Sequence, residues 1–117
     1  MSTFNKLLLS GSTNGRNILI AATVSSSATP IHTAASQGSL DEVWLWACNT
    51  GNSVSALNIQ FGGTTNPGDQ ISSSIAPADG AVLMIPGWCV QSGSIVSAFA
   101  PTTNIIVING YVNRITL

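Results

Sequence analysis

His32, the single histidine of this 117-residue chain, is the first residue to consider for chemistry. Nucleophilic hydrolysis would need its imidazole beside a serine or cysteine and a carboxylate. Serines and threonines flank many turns, but none stands in the strand-to-helix turn pattern that presents a nucleophile. The segment Pro30–Thr33 instead predicts a strand in which His32 bonds to backbone or solvent. We therefore expect no catalytic role for His32.

The four acidic residues lack the arrangement of a catalytic pair or a metal site. Asp41 and Glu42 are adjacent at the start of a predicted strand, so their side chains point to opposite faces. Asp69 and Asp79 stand in turns rich in glycine and proline, where aspartate commonly bonds its own backbone. No short stretch gathers the oxygen ligands that calcium needs. The sequence therefore predicts a protein that is not an enzyme and that has no cofactor and no metal site.

Two cysteines, Cys48 and Cys89, each lie in an apolar segment. The first ten residues contain an apolar run of only Leu7–Leu9, whereas a signal peptide needs about 7–15 apolar residues. Cytosolic cysteines normally stay reduced, so we predict two buried free thiols. Two cysteines and one histidine without local pairing do not make a zinc pattern.

Three tryptophans are the best candidates for a binding role. Trp44 and Trp46 are two apart in a predicted strand, so they share one face. Three interpretations are open for this pair: core anchors that also contact another subunit, core residues alone, or a platform for a sugar. Trp88 follows a Pro-Gly pair at a loop or strand edge, where tryptophan suits a partner contact. We take Trp44, Trp46 and Trp88 as candidate protein-contact residues.

The low charge of the chain limits the classes of partner. Charged residues make up 6% of the sequence, against about 25% in ordinary soluble domains, and the net charge is −1. Lys6, Arg16 and Arg114 are scattered, so no basic patch is available for nucleic acid or for a membrane surface. A weakly charged surface is best explained if partners cover part of it. We expect self-association, with no nucleic acid and no membrane as partner.

Turn signals separate short β-rich segments along the whole chain, as in a sandwich or barrel. The predicted strands are Lys6–Ser10, Asn17–Val24, Pro30–Ala34, Glu42–Asn49, Ser55–Phe61, Gln70–Ile75, Ala81–Ile85, Ser94–Ala100 and Asn104–Ile115. The last is predicted to be continuous, with a bulge at Gly110. Some segments, such as Asn17–Ala22, are apolar on both faces, which predicts that their outer face is covered too. We predict one domain over residues 1–117, an all-β antiparallel sandwich, jelly-roll-like, with about eight strands.

Five phrases spread over the chain carry a further indication: Leu8–Arg16, Ile31–Ala34, Asp41–Asn49, Ile59–Thr65 and Gly110–Ile115. As a set they resemble a family of small structural proteins of tailed bacteriophages. The resemblance implies a virion protein, best matched by a capsid decoration (cement) protein, synthesised in the host cytoplasm and bound to the capsid surface. It also implies a homotrimer that stabilises the shell through contacts with the major capsid protein.

Two other functions stay open at this stage. The first is a tail, baseplate or neck subunit of the same virion. The second belongs to another class, a carbohydrate-binding module that uses Trp44, Trp46 or Trp88.

Overall fold

The computed structural model describes residues 3–116, which form nine β-strands and one turn of 3-10 helix. The strands are β1 (Thr3–Leu8), β2 (Ile18–Leu19), β3 (Thr29–Thr33), β4 (Ser39–Asn49), β5 (Ser55–Phe61), β6 (Gln70–Ile75), β7 (Val82–Gln91), β8 (Ile95–Phe99) and β9 (Ile106–Thr116), and the 3-10 turn is Ser25–Ser27. Among these residues there is no helix with the length and apolarity that crossing a bilayer requires.

Strands from the first half of the chain pair with strands from the second half in a nested antiparallel order. β1 and β2 pair with β9, β3 with β8, β4 with β7, and β5 with β6. Additional pairing of β4 with β9 and of β5 with β8 rolls this long hairpin into two sheets. Sheet A has the order β1-β9-β4-β7, with β2 also beside β9, and sheet B has the order β3-β8-β5-β6. This is the jelly-roll form of an antiparallel sandwich, as predicted.

The core lies between the inner faces of the two sheets. β4 shows the period of two that builds it: Val43, Leu45 and Ala47 point inward and are fully buried, while the residues between them point outward. Leu57 and Ile59 do the same from β5 in sheet B. The other large aliphatic residues of the core are Leu9, Ile18, Ile20, Ile31, Ile75, Ile85, Val90, Val96, Ile106, Ile108 and Val112.

Two predicted strands differ clearly in length from the observed ones. Within the segment 17–24 only Ile18–Leu19 form a strand; beyond them Ile20 and Ala22 hydrogen-bond to the stretch between β8 and β9 instead. β7 runs further than predicted, past Pro86, because a register shift at Gly87 lets the strand continue. Gly87 has φ +84°, the left-handed conformation that such a bulge requires.

The bulge predicted at Gly110 is wrong. β9 pairs with β4 residue for residue over its whole length, and Gly110 lies opposite Leu45. A Cβ atom at position 110 would lie 1.9 Å from the carbonyl oxygen of Trp44. Glycine is therefore needed here because two backbones approach closely, which is the other use of glycine inside a strand.

Candidate contact surface on the outer face of sheet A

The two outer faces of the sandwich differ in chemistry. On sheet B, Asn58, Gln70, Ser72 and Ser74 point outward from β5 and β6. Their side chains bond to one another: Gln70 Nε2 donates to Asn58 Oδ1 at 2.8 Å, and Ser72 Oγ donates to the same oxygen at 2.7 Å. This part of the outer face of sheet B is neutral and polar, as expected for a surface in water.

The outer face of sheet A is largely apolar. Residues directly opposite each other in an antiparallel sheet share a face, so the pairing register identifies its members. We call this surface the aromatic face; its apolar residues are Phe4, Leu8, Leu40, Trp44, Trp46, Leu83, Pro86, Val107, Tyr111 and Ile115. Phe4 is 72% exposed, Leu8 56% and Leu83 46%. Several large apolar side chains are thus left uncovered on this face, whereas on the outer face of sheet B Ile95, 49% exposed, interrupts a mostly polar surface.

Three aromatic rings form the centre of the aromatic face. The ring centroids of Trp44, Trp46 and Tyr111 lie 6.1–6.4 Å apart, and their planes are within 19–31° of one another. The indole of Trp44 reaches across β7, because a Cβ atom on Gly87 would come within 2.8 Å of Trp44 Cζ2. The cluster therefore spans β9, β4 and β7 as one nearly parallel set of rings.

Each charged group beside the cluster already has a partner within it. Lys6 Nζ lies 4.4 Å from the centre of the Tyr111 ring, a cation–π contact. Trp44 Nε1 donates to Glu42 Oε1 at 2.7 Å, and Asn113 Nδ2 donates to the same oxygen at 3.0 Å. These two hydrogen bonds lower the pKa of Glu42. The charged groups at the margin of the aromatic face, Lys6 and Glu42, are therefore already bonded to neighbouring residues of the same sheet.

The structure separates the three tryptophans predicted as contact residues. Trp44 and Trp46 lie on the aromatic face, so their interpretation as core residues is wrong; smaller residues of β4 take the inward positions. Trp88 lies apart from them on the edge strand β7, 49% exposed, with its ring edge-on to Phe61 of β5 at 5.7 Å. Sequence analysis missed Tyr111, because only the register of β9 against β4 places it beside Trp44.

A shallow groove of about 500 Å³ lies on the outer face of sheet B. Serine, threonine and glycine line most of it. Its buried amide, Gln60, bonds to Ser25 Oγ and accepts from Ser97 Oγ at 2.8 Å. The polar groups at its floor therefore satisfy one another.

A buried polar cluster links the two sheets. Asp41 of β4 accepts hydrogen bonds from Arg114 of β9, with Nε to Oδ1 at 2.8 Å and Nη2 to Oδ2 at 2.9 Å. His32 Nε2 of β3 lies 2.6 Å from Asp41 Oδ2. The Ala35 N–H also donates to Oδ2, at 3.1 Å. Asp41 is fully buried, so these donors replace its solvation.

His32 is a structural link in this cluster. The Ser10 N–H donates to His32 Nδ1 at 3.0 Å, so the ring proton sits on Nε2 and is donated to Asp41. The prediction that His32 bonds to backbone is confirmed, while its contact with Asp41 was missed. Since both ring nitrogens are engaged and the residue is 2% exposed, neither nitrogen is free to activate a nucleophile.

The ionisation of Asp41 makes stability depend on acid. Burial raises the pKa of Asp41, but hydrogen bonds from Arg114 and His32 together with the Arg114 charge outweigh burial, and the pKa lies below its ordinary value of 3.8. A carboxyl with a depressed folded-state pKa contributes stability above its unfolded-state pKa and loses it as pH falls. We expect the urea midpoint to be level near pH 6 and to fall below about pH 4.

The acid prediction has a built-in control. Glu42 also has a lowered pKa and contributes with the same sign. The Glu42→Gln variant should keep most of the loss below pH 4, whereas Asp41→Asn should flatten it. An acid limb unchanged in Asp41→Asn would show that other groups cause it.

Both cysteines lie on the outer side of sheet A and are free. Cys89 pairs with Glu42, about 20 Å along β4 from Cys48 at roughly 3.3 Å per residue. That separation is far beyond disulfide reach. Free thiols are thus confirmed, but the predicted burial is wrong, because Cys89 is exposed and Cys48 is only half-buried.

Thiol titration should distinguish the two cysteines. We expect Cys89 to react with a thiol reagent in the native protein and Cys48 to react more slowly, because access controls the rate. Denatured protein should release two equivalents. A native protein whose Cys48 reacts as fast as Cys89 would contradict the burial seen here; a Cys89→Ser variant assigns the fast phase.

Within residues 3–116 no group of three or more His, Cys, Asp or Glu side chains is placed to hold a metal ion. No protein-family model, no curated protein and no solved structure matches this chain. The aromatic face, on a jelly-roll scaffold, is therefore the candidate functional site on its own chemistry.

Proposed function

We propose that this protein is a non-enzymatic structural subunit of a tailed-phage virion, a capsid decoration protein that binds the head shell through the aromatic face. The supporting observation is that this outer face carries a continuous apolar and aromatic surface, while the opposite face is mostly polar apart from Ile95. Monomeric soluble proteins rarely expose apolar patches above a few hundred Å². The difference between the faces favours this side for a contact with a partner.

The size of the aromatic face suits a specific protein contact. The four strands of sheet A have 6, 11, 11 and 10 residues; at ~3.3 Å per residue and ~4.8 Å between strands they span roughly 600 Å². A standard interface buries about 800 Å² on each partner. Tryptophan and tyrosine are the residues that most often dominate binding energy at such interfaces. Trp44, Trp46 and Tyr111 are therefore the anchors we assign to this contact.

The choice of partner rests on the resemblance and on the fold class. Jelly rolls occur in viral capsid proteins as well as in lectins, so the fold allows this function without assigning it. A subunit that bridges neighbouring capsid proteins raises the free energy needed to separate them. Many such contacts on one particle act together through multivalency.

Co-sedimentation of the purified protein with empty heads tests the proposal. We expect binding that Trp46→Ser weakens by about 30-fold or more, the effect of losing ~2 kcal/mol at a hot spot. The matched control, Ser72→Ala on the outer face of sheet B, should bind like the wild type. Circular dichroism should show that both variants are folded.

Deletion of the gene gives an independent readout. Particles without the protein should assemble and should then break at lower temperature or milder chelator stress than the parent. Equally robust heads that lack tails would instead favour the tail, baseplate or neck alternative. Protein that binds neither heads nor tails would contradict a virion function.

The near-parallel rings of Trp44, Trp46 and Tyr111 favour a carbohydrate platform as a second candidate. Glu42 and Asn113 lie beside the rings and could hydrogen-bond sugar hydroxyls. Affinity electrophoresis in gels containing soluble polysaccharide tests this function. Retardation that Trp46→Ser abolishes, combined with no binding to heads, would establish it over the decoration function.

A further inference from the structure

We propose that the free edge of β1 pairs antiparallel with β1 of a second copy of this chain, joining two molecules through one continuous sheet. This contact uses the backbone edge of sheet A and involves only the β1 margin of the aromatic face, Phe4 and Leu8, and not the cluster of Trp44, Trp46 and Tyr111. It therefore goes beyond the proposed function and does not depend on it.

β1 is exposed along its whole length. All six residues, Thr3–Leu8, are exposed, and the strand pairs with β9 along one edge. Phe4 and Leu8 project on the outer face, while Leu7, on the inner side, is 36% exposed although Val112, its partner on β9, is fully buried. Sheet B thus fails to cover β1, which leaves apolar side chains open on both of its faces.

Of the features that normally protect an edge strand, β1 carries only one, the charge of Lys6. Natural edges carry proline, a bulge or an outward charge that prevents another strand from adding. β1 contains no proline, and its register with β9 runs without a shift from Thr3 to Leu8. Its single charge, Lys6, is drawn back over Tyr111 of β9. The backbone groups on the free edge are therefore accessible to another strand.

The other edges of the described sandwich are less suited to pairing. β7 contains Pro86 and two register shifts, and β3 contains Pro30 and one shift. β6 is regular, but its outward residues are one glutamine and two serines. β2 is apolar but only two residues long, so within residues 3–116 β1 is the edge that is regular, apolar and longer than two residues. The edge that matches it on another copy is β1 itself.

Two-fold symmetry limits the register of this pairing. The two-fold axis stands perpendicular to the sheet, so outward residues lie opposite outward residues. Centring the pair on Lys6 would oppose two ammonium groups, which is destabilising. Centring it on Asn5 places Phe4 opposite the second copy's Lys6 and Thr3 opposite the second copy's Leu7. We assign the register centred on Asn5, which aligns both aromatic faces on one side of the dimer.

Sedimentation equilibrium at micromolar concentration tests the pairing. The wild type should be a dimer of twice the 12.0 kDa chain mass, because an isologous contact closes at two copies. Phe4→Lys should raise the dissociation constant at least 30-fold. The control Val54→Lys changes another exposed apolar residue, 63% exposed and outside the strands, and should leave the dimer intact.

Hydrogen exchange identifies the contact surface directly. Amides of β1 that face the free edge should be protected at high protein concentration and lose that protection on dilution, whether or not Phe4→Lys folds well. Trp46→Ser should leave the dimer intact even where it abolishes binding to heads, which separates this inference from the proposed function. A monomer, or a trimer or dimer that survives Phe4→Lys without β1 protection, would overturn it.

Discussion

Asp41→Asn should lower the free energy of unfolding by about 2–4 kcal/mol. Asparagine preserves the shape of the side chain but removes the charge that Arg114 and His32 share. Removing one partner of a buried ion pair typically costs about 3–5 kcal/mol, and we expect somewhat less because the Arg114 side chain is 32% exposed and keeps part of its hydration. The cluster joins β3, β4 and β9, so its loss affects both sheets.

Urea unfolding at pH 7, followed by tryptophan fluorescence, measures the effect. The control is Glu42→Gln, which removes the neighbouring carboxylate on the opposite face of β4. Glu42 is partly exposed, and its hydrogen bonds lie at the surface, so we expect less than about 1 kcal/mol. If both variants lose the same free energy of unfolding, the buried Asp41 carboxylate contributes no more to stability than the partly exposed Glu42 carboxylate.

Gly110→Ala should have an effect of similar or larger size, about 3 kcal/mol or more. The added methyl group would lie 1.9 Å from the Trp44 carbonyl oxygen and 3.1 Å from the Leu45 Cα atom. Both atoms belong to the backbone of β4, so no side chain can turn away to make room. β4 and β9 must separate locally, which breaks ladder hydrogen bonds at the centre of sheet A and disturbs the aromatic cluster.

The comparison variant for this prediction is Gly80→Ala. Gly80 has φ +69°, and a Cβ atom there would meet nothing within 4 Å. Gly80→Ala should therefore lower the free energy of unfolding by about 1 kcal/mol, and this loss comes from the backbone conformation alone. Thermal unfolding of both variants separates close approach from conformational strain. If Gly110→Ala and Gly80→Ala have the same melting temperature, the backbones of β4 and β9 do not approach each other as closely as described.

Local patterns in the sequence predicted the strands that are bounded by clear turn residues on both sides. Ser55–Phe61 and Gln70–Ile75 were predicted with the observed bounds, because a period of two or a short β-rich run is flanked by clear turn residues. The class of sandwich or barrel followed from the number and spacing of such segments. The surface covered by partners, predicted from the low charge and the mixed apolar faces, stays a prediction.

Only the tertiary structure decided which face of a strand is inside. Alternation shows that Trp44 and Trp46 share a face, but both faces of β4 are apolar, so periodicity cannot choose between them. The choice depends on what lies across the sandwich, where Val43 and Leu45 fit between the two sheets and the indoles do not.

Contacts between distant segments were equally out of reach of local patterns. The polar cluster forms because β3, β4 and β9 bring His32, Asp41 and Arg114 together. These residues lie on three separate strands, so no local pattern predicts that they are in contact. Gly110 was predicted as a bulge because a strand glycine has two common uses, and only the neighbouring strand shows which one applies. The sequence by itself determined where most strands lie and which residues within a strand share a face. Their nested long-range pairing determined the core, the buried ion cluster and the aromatic face.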